Sequence, residues 1–296
     1  MRATKKQRPK GFSSVKPYAH RVRKHPFINL LRRIAKRVFP KSEIIYSEPL
    51  PENEGIILCC NHALDYGPLV ILTDYKRPMR LWSDPALCYF SKVPNHAMLY
   101  FFPETKGIVR FFARIASFLL TIVVPVFRGL EVIPAYRNPD VLITFRKTAE
   151  TIAENKDVII FPETEVPSTE YKYVNNLNNG FIRVSRFCSE KTGTPVKFYP
   201  AYACKSLRKL LIGHPVVVDT ERSEKEQLKE FKKKISDEIE SLANSLPPHE
   251  ITPFNFRQDD PSQLKKYGAN DKYSYKKLRK NFNAKNEIEN SDSRKN

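Results

Sequence analysis

Asn61-His62-Ala63-Leu64-Asp65 follows directly on the apolar run Gly55-Ile56-Ile57-Leu58-Cys59-Cys60, so a histidine and a carboxylate emerge together from the end of a strand-like segment. An imidazole near its reference pKa of about 6.5 can take a proton from a hydroxyl at neutral pH. A carboxylate beside it can orient the ring and stabilise the imidazolium. His62 is therefore the candidate general base and Asp65 its orienter. Two residues separate them, and the pair would share one face of a helical turn if Asn61 opens a helix.

Two later segments bring further polar groups to strand ends. The run Arg128-Gly129-Leu130-Glu131-Val132-Ile133-Pro134-Ala135-Tyr136-Arg137 offers a turn, a short strand and then a guanidinium whose fork suits a phosphate or carboxylate. The apolar run Asp157-Val158-Ile159-Ile160 leads into Phe161-Pro162-Glu163 and delivers a second carboxylate. In open α/β sheets ligands collect at the carboxyl ends of strands. His62, Arg137 and Glu163 would meet there. Taken singly, each has a plain alternative: His62 as scaffolding, Arg137 paired with Asp140, and Glu163 capping a turn.

In this order the blocks resemble the lysophospholipid and glycerophosphate acyltransferase family, whose motifs run N-H-x4-D, G-x-x-x-I-P-x-x-R, F-P-E-G-T-R and then a proline-containing strand. The chain matches the first at Asn61, His62 and Asp65, and the second at Gly129, Ile133, Pro134 and Arg137. The third matches at Phe161, Pro162 and Glu163, and the fourth is similar to Thr194-Pro195-Val196 with Pro200, followed by Gly213-His214-Pro215-Val216. The resemblance spans about residues 45 to 220 and implies transfer of an acyl group from acyl-CoA or acyl carrier protein to a hydroxyl of a lysophospholipid or related glycerolipid. It implies His62 and Asp65 as catalytic residues, with Asn61, Gly129, Arg137, Pro162 and Glu163 binding substrate. No metal and no resident cofactor are implied. The chain departs from the pattern twice: the His to Asp spacing is two residues instead of four, and Thr164-Glu165-Val166 replaces Gly-Thr-Arg. An anion at Glu165 would repel a phosphomonoester, which favours a lysophospholipid, a glycolipid or another hydroxyl over glycerol phosphate. Asn95-His96-Ala97 and Phe102-Pro103-Glu104 repeat the wording of two blocks without a preceding apolar strand, and are expected to form a loop and a helix approach.

The elements that must hold such a site alternate. Residues 55–60, 157–161, 196–203 and 215–218 have strand character; residues 140–155 and 223–246 have helical period. The expected fold is α/β, a single domain with a mixed, largely parallel sheet flanked by helices and an N-terminal amphipathic helix. Expected boundaries are a basic disordered arm over 1–25, the amphipathic helix over 26–40, the acyltransferase domain over 41–248, and a charged, loosely ordered tail over 249–296. About 220 folded residues suit one core.

Charge and hydropathy point to partners. A formal net charge of +19 calls for an anionic partner. The amphipathic helix and the apolar stretch Ile115–Phe127 suggest peripheral or monotopic attachment to an anionic membrane surface on its cytoplasmic face. That stretch has thirteen residues, short of the about 20 that cross a bilayer, so it is expected to be buried or half-inserted and to end at Pro125. Five scattered cysteines without metal spacing read as buried thiols in a reducing compartment. Two other classes are weighed: a non-catalytic lipid-binding relative, and a nucleic-acid binder using Tyr267, Tyr273 and Tyr275 among lysines. Nothing in the central segment has the character of a groove-reading helix.

Overall fold

The computed structural model describes residues 33, 34, 37, 39–100, 102, 105–136, 140–163, 173–219 and 222–252. The arm over 1–25, most of the 26–40 helix, Arg137, the Thr164-Glu165-Val166 segment and most of the 249–296 tail lie outside them. Arg33, Ile34 and Arg37 are helical.

In chain order the strands are β1 (Glu43–Tyr46), β2 (Ile57–Cys60), β3 (Met79–Ser83), β4 (Ile133–Pro134), β5 (Asp157–Ile160), β6 (Lys197–Cys204), β7 (Lys209–Ile212) and β8 (Val216–Val217). The helices are α1 (Tyr66–Asp74), α2 (Val93–Tyr100), α3 (Gly107–Leu119), α4 (Val123–Gly129), α5 (Val141–Ala153), α6 (Val184–Thr192) and α7 (Glu224–Asn244). The strands form one sheet in the order β1-β7-β6-β2-β5-β3-β4, with β8 beside β6. Pairings are parallel except β6 with β7 and β6 with β8, so the fold is the mixed, mostly parallel α/β sheet expected.

Both faces of the sheet are covered, which is why β2 and β5 are continuous apolar runs and not alternating ones. In β2, Ile57 and Cys59 pack with Phe145, Ala149 and Ile152 of α5 and Phe231, Ile235 and Ile239 of α7. Leu58 and Cys60 point the other way, into a core shared with Val70 and Ile71 of α1. The helical period of α7 places Phe231, Ile235 and Ile239 on one buried stripe. Each such side chain is worth about 1.5–3 kcal/mol. All five cysteines are free and buried.

The amino edge of the sheet is locked by Asp157, fully buried at the start of β5. Its carboxylate accepts from Arg77 Nε at 2.7 Å and Nη2 at 2.9 Å, from Tyr75 Oη at 2.6 Å, and from the Ile56 backbone amide at 3.1 Å. A buried carboxylate needs this full set of partners.

Three local expectations are corrected. Asn61 opens no helix: α1 begins at Tyr66, and Ala63 and Leu64 have φ of 45° and 56°. Pro125 does not end the apolar stretch; it lies in the first turn of α4, where its missing N–H has no intrahelical acceptor to lose, and the helix runs on to Gly129. Of the two expectations for the stretch, buried or half-inserted, burial does not hold, since α3 and the turn Leu120–Ile122 expose Ile115, Phe118, Leu119 and Ile122. In addition, Asn95-His96-Ala97 belongs to α2 and is no loop; His96 Nδ1 stands 3.9 Å from Asp84 Oδ2.

Candidate active site

β2 and β5 are parallel neighbours, with Cys59 opposite Ile160, so their carboxyl ends open side by side. The first residues past those ends are Asn61 and His62 on one strand, and Phe161, Pro162 and Glu163 on the other. Two of the three polar strand ends read from the sequence therefore converge.

Asn61 is buried and locks β2 to β6. Its Oδ1 accepts from the Ala203 amide at 2.6 Å and its Nδ2 donates to the Ala203 carbonyl at 3.3 Å. Both ends of the side-chain amide are thus engaged by backbone, and Asn61 acts here as a clamp on the residue before the base.

His62 is held through its backbone and its ring, its carbonyl accepting from the Gly67 amide at 3.1 Å. Its backbone N–H donates to Glu163 Oε2 at 2.5 Å, its ring packs edge-on against Phe161 at 5.2 Å between centroids, and its Nδ1 meets the Leu64 carbonyl. A carbonyl only accepts, so Nδ1 carries the hydrogen and the neutral ring has its lone pair on Nε2. The Leu64 carbonyl can turn back onto the ring because Ala63 and Leu64 both adopt left-handed backbone conformations, which are costly for residues with a Cβ. Burial lowers the His62 pKa below 6.5, opposed by the Leu64 bond and by the negative charge of Asp65. The imidazole is accordingly neutral at pH 7. Asp65 is exposed, in the cap position of α1, and acts on the ring through its charge, while the Leu64 carbonyl is the group at Nδ1.

Glu163 binds together three segments. Oε2 takes the His62 amide, Oε1 takes the Asn175 amide at 2.8 Å, and its own backbone bridges to Leu177. The Pro162 carbonyl accepts from the Asn178 amide at 2.7 Å and fixes the same loop. Burial pushes the Glu163 carboxyl up to about 7, against the two amide bonds that favour its ionised form.

Gly67 is a site residue that the motif reading passes over, and Phe161, matched there as part of the third motif without a role, packs on the His62 ring. A Cβ on Gly67 would come within 2.6 Å of the Asn61 carbonyl, 2.8 Å of the His62 carbonyl and 3.1 Å of the Phe161 ring. Only glycine lets the start of α1 approach the base so closely. The signal available was a glycine two residues past the Asn61–Asp65 block in a chain holding nine.

Gly129 closes α4 just before β4, which is three strands across the sheet from β2. At about 4.8 Å per strand that is about 14 Å, the scale of an extended ligand and not of one reacting atom. Arg137 itself is outside the described residues. A cleft lined by Gly55, Ile152, Asn155, Thr192 and Val196 lies at the opposite, amino edge of the sheet, away from His62. Among the described residues no group of three or more His, Cys, Asp or Glu side chains could hold a metal ion.

No protein-family model and no curated protein matches the chain. Among solved structures it is similar to the 1-acyl-sn-glycerophosphate (LPA) acyltransferase PlsC from Thermotoga maritima, at 15% identity and a TM-score of 0.42, over 75% of this chain and 81% of that one. At that level the likeness bears on neither the chemistry nor the substrate.

Proposed function

We propose that the protein is an acyltransferase in which His62 Nε2 is the general base. The observation that carries this reading is the bond from His62 Nδ1–H to the Leu64 carbonyl, formed at a strained turn on the carboxyl edge of the sheet. It fixes the tautomer that a base needs and is made where Ala63 and Leu64 take left-handed backbone conformations.

In the proposed reaction an acceptor hydroxyl attacks the carbonyl carbon of a thioester while Nε2 takes its proton. The tetrahedral intermediate collapses with cleavage of the carbon–sulfur bond, and the imidazolium returns the proton to the departing thiolate. The oxygen–carbon bond formed replaces the carbon–sulfur bond lost, and no covalent acyl-enzyme is needed. Asp65 stabilises the imidazolium by its charge. Asn61, Pro162 and Glu163 hold the base and its loop in place; the order of motifs supports Arg137 for an anionic part of donor or acceptor. Acyl-CoA or acyl carrier protein is the proposed donor and a lysophospholipid or related glycerolipid the acceptor. The positive surplus of the chain suits either anionic donor.

The test is mass spectrometry of lipids formed by purified protein from mixed acyl thioesters and lysolipids. Acylated product from the wild type, lost in His62→Ala, supports the proposal. Lipid binding without product from any donor would favour a non-catalytic lipid-binding protein.

A further inference from the structure

Among the described residues, most of the exposed large apolar side chains lie in the segment between β3 and β4. On α3 and the turn after it, Ile108, Phe111, Phe112, Ile115, Phe118, Leu119 and Ile122 are exposed, with Phe112 at 61% and Leu119 at 74%. Ala113 and Ser117 on the opposite side of α3, and Val124 of α4, are buried against the protein. The helix is therefore seated by one face and presents an aromatic and aliphatic face outward. Exposed Arg110 and Arg114 lie on the flank between the two faces, the latter with its guanidinium 5.8 Å from the Phe118 ring.

By length and composition Gly107–Gly129 could cross a membrane. The sheet forbids it. β4 pairs with the last two residues of β3, Ile133 opposite Trp82 and Pro134 opposite Ser83, so the insertion leaves and re-enters the sheet at one place. A single crossing would strand its two ends on opposite sides of a bilayer. A return crossing needs about 20 predominantly apolar residues in one run, whereas residues 84–106 carry Asp84, Lys92, Glu104 and Lys106 and, among the described residues, form only the four-residue turn Pro85–Cys88 and the eight-residue α2. Arg128, at the far end, reaches back to the Cys88 carbonyl at 3.5 Å and the Phe90 ring at 5.1 Å, closing the insertion on its own start.

We propose that the outward face of α3 and the following turn docks in the plane of an anionic phospholipid surface, with its apolar side chains below the headgroups and Arg110 and Arg114 at the phosphates. Basic flanks around an apolar face, on a chain of net charge +19, match anionic headgroups better than a second copy of the same cationic chain. Because β3 is parallel to β5 and β2, the insertion springs from the same edge of the sheet that carries His62 and Glu163. Docking there would bring the candidate base to the bilayer surface, yet the proposal stands without acyl transfer.

The test is flotation of the full chain with vesicles of phosphatidylcholine alone or mixed with phosphatidylglycerol, for the wild type, for Phe112→Asp with Leu119→Asp, and for Arg110→Glu with Arg114→Glu. The apolar pair should lower the vesicle-bound fraction at least about tenfold with an unchanged thermal midpoint. The charge pair should weaken binding to the mixed vesicles only. Wild-type flotation by the apolar variant, or absence of flotation by the wild type, overturns the proposal. So does a wild-type dimer in solution that the apolar variant converts to monomer with flotation unchanged, which would give the face to a second copy. Intact flotation with no acylated lipid strikes the acyl-transfer reading alone.

Discussion

The Glu163 carboxylate accepts the backbone amide of His62 at 2.5 Å, so the carboxyl ends of β5 and β2 are tied by a side chain beyond the last bond of the ladder. Asp157 makes the matching link at the other end of β5, to the Ile56 amide at 3.1 Å. One link lies in a fully partnered ion pair and fixes the sheet; the other holds the residue assigned as base.

Replacing Glu163 by Gln turns one acceptor oxygen into a donor, so either the His62 or the Asn175 amide would face an N–H. The cost in stability should be about 1–3 kcal/mol, read by denaturant unfolding. Product formation should fall about tenfold or more, because the ring it steadies loses its alignment.

The pH dependence of folding has two opposed parts. Glu163 is raised from 4.5 to about 7, so the folded protein retains a proton that the unfolded chain has released; its stabilising contribution is full below pH 4.5 and is lost as pH rises through about 7. His62 is lowered from 6.5, so its contribution is present above pH 6.5 and lost as pH falls through the folded value. Unfolding midpoints measured across pH 4–8 in wild type and Glu163→Gln should show the decline between about 4.5 and 7 in the wild type only.

The rate should rise with pH through a pKa below 6.5 as His62 loses its proton, with a second rise near 7 as Glu163 ionises and accepts both amides more strongly. A pH–rate profile of Glu163→Gln should keep the first step and lack the second.

Gly67→Ala should force the Asn61 and His62 carbonyls away from α1. We expect about 1–3 kcal/mol of destabilisation by calorimetry and a loss of activity larger than that of a comparably destabilised core variant such as Ile239→Val. Asn61→Ala should cost about 1–3 kcal/mol by leaving the buried backbone of Ala203 without its partner.

The parts of this fold legible in the sequence are those whose pattern is local. The unbroken apolar runs that became β2, β5 and β6 and the stripe of α7 needed no tertiary knowledge. β1, β3 and β7 are four or five residues long, and β3 interposes Arg80 between Met79 and Leu81, so no apolar run marks it. The chemistry divides in the same way. His62 and Glu163 follow strands and were visible as side chains, whereas the groups that meet the His62 ring nitrogen and the Glu163 carboxylate are backbone: the Leu64 carbonyl and the His62 and Asn175 amides. A backbone partner leaves no residue type to read. The helical turn expected for His62 and Asp65 failed because the chain uses the two intervening residues to fold a carbonyl onto the ring.

The most direct measurement is single-turnover acyl transfer by folded His62→Ala beside wild type, with the acylated lipid quantified by mass spectrometry. The proposed base predicts a loss of about 10²–10⁴-fold in the chemical step with secondary structure unchanged by circular dichroism. Equal product from the two proteins would contradict it.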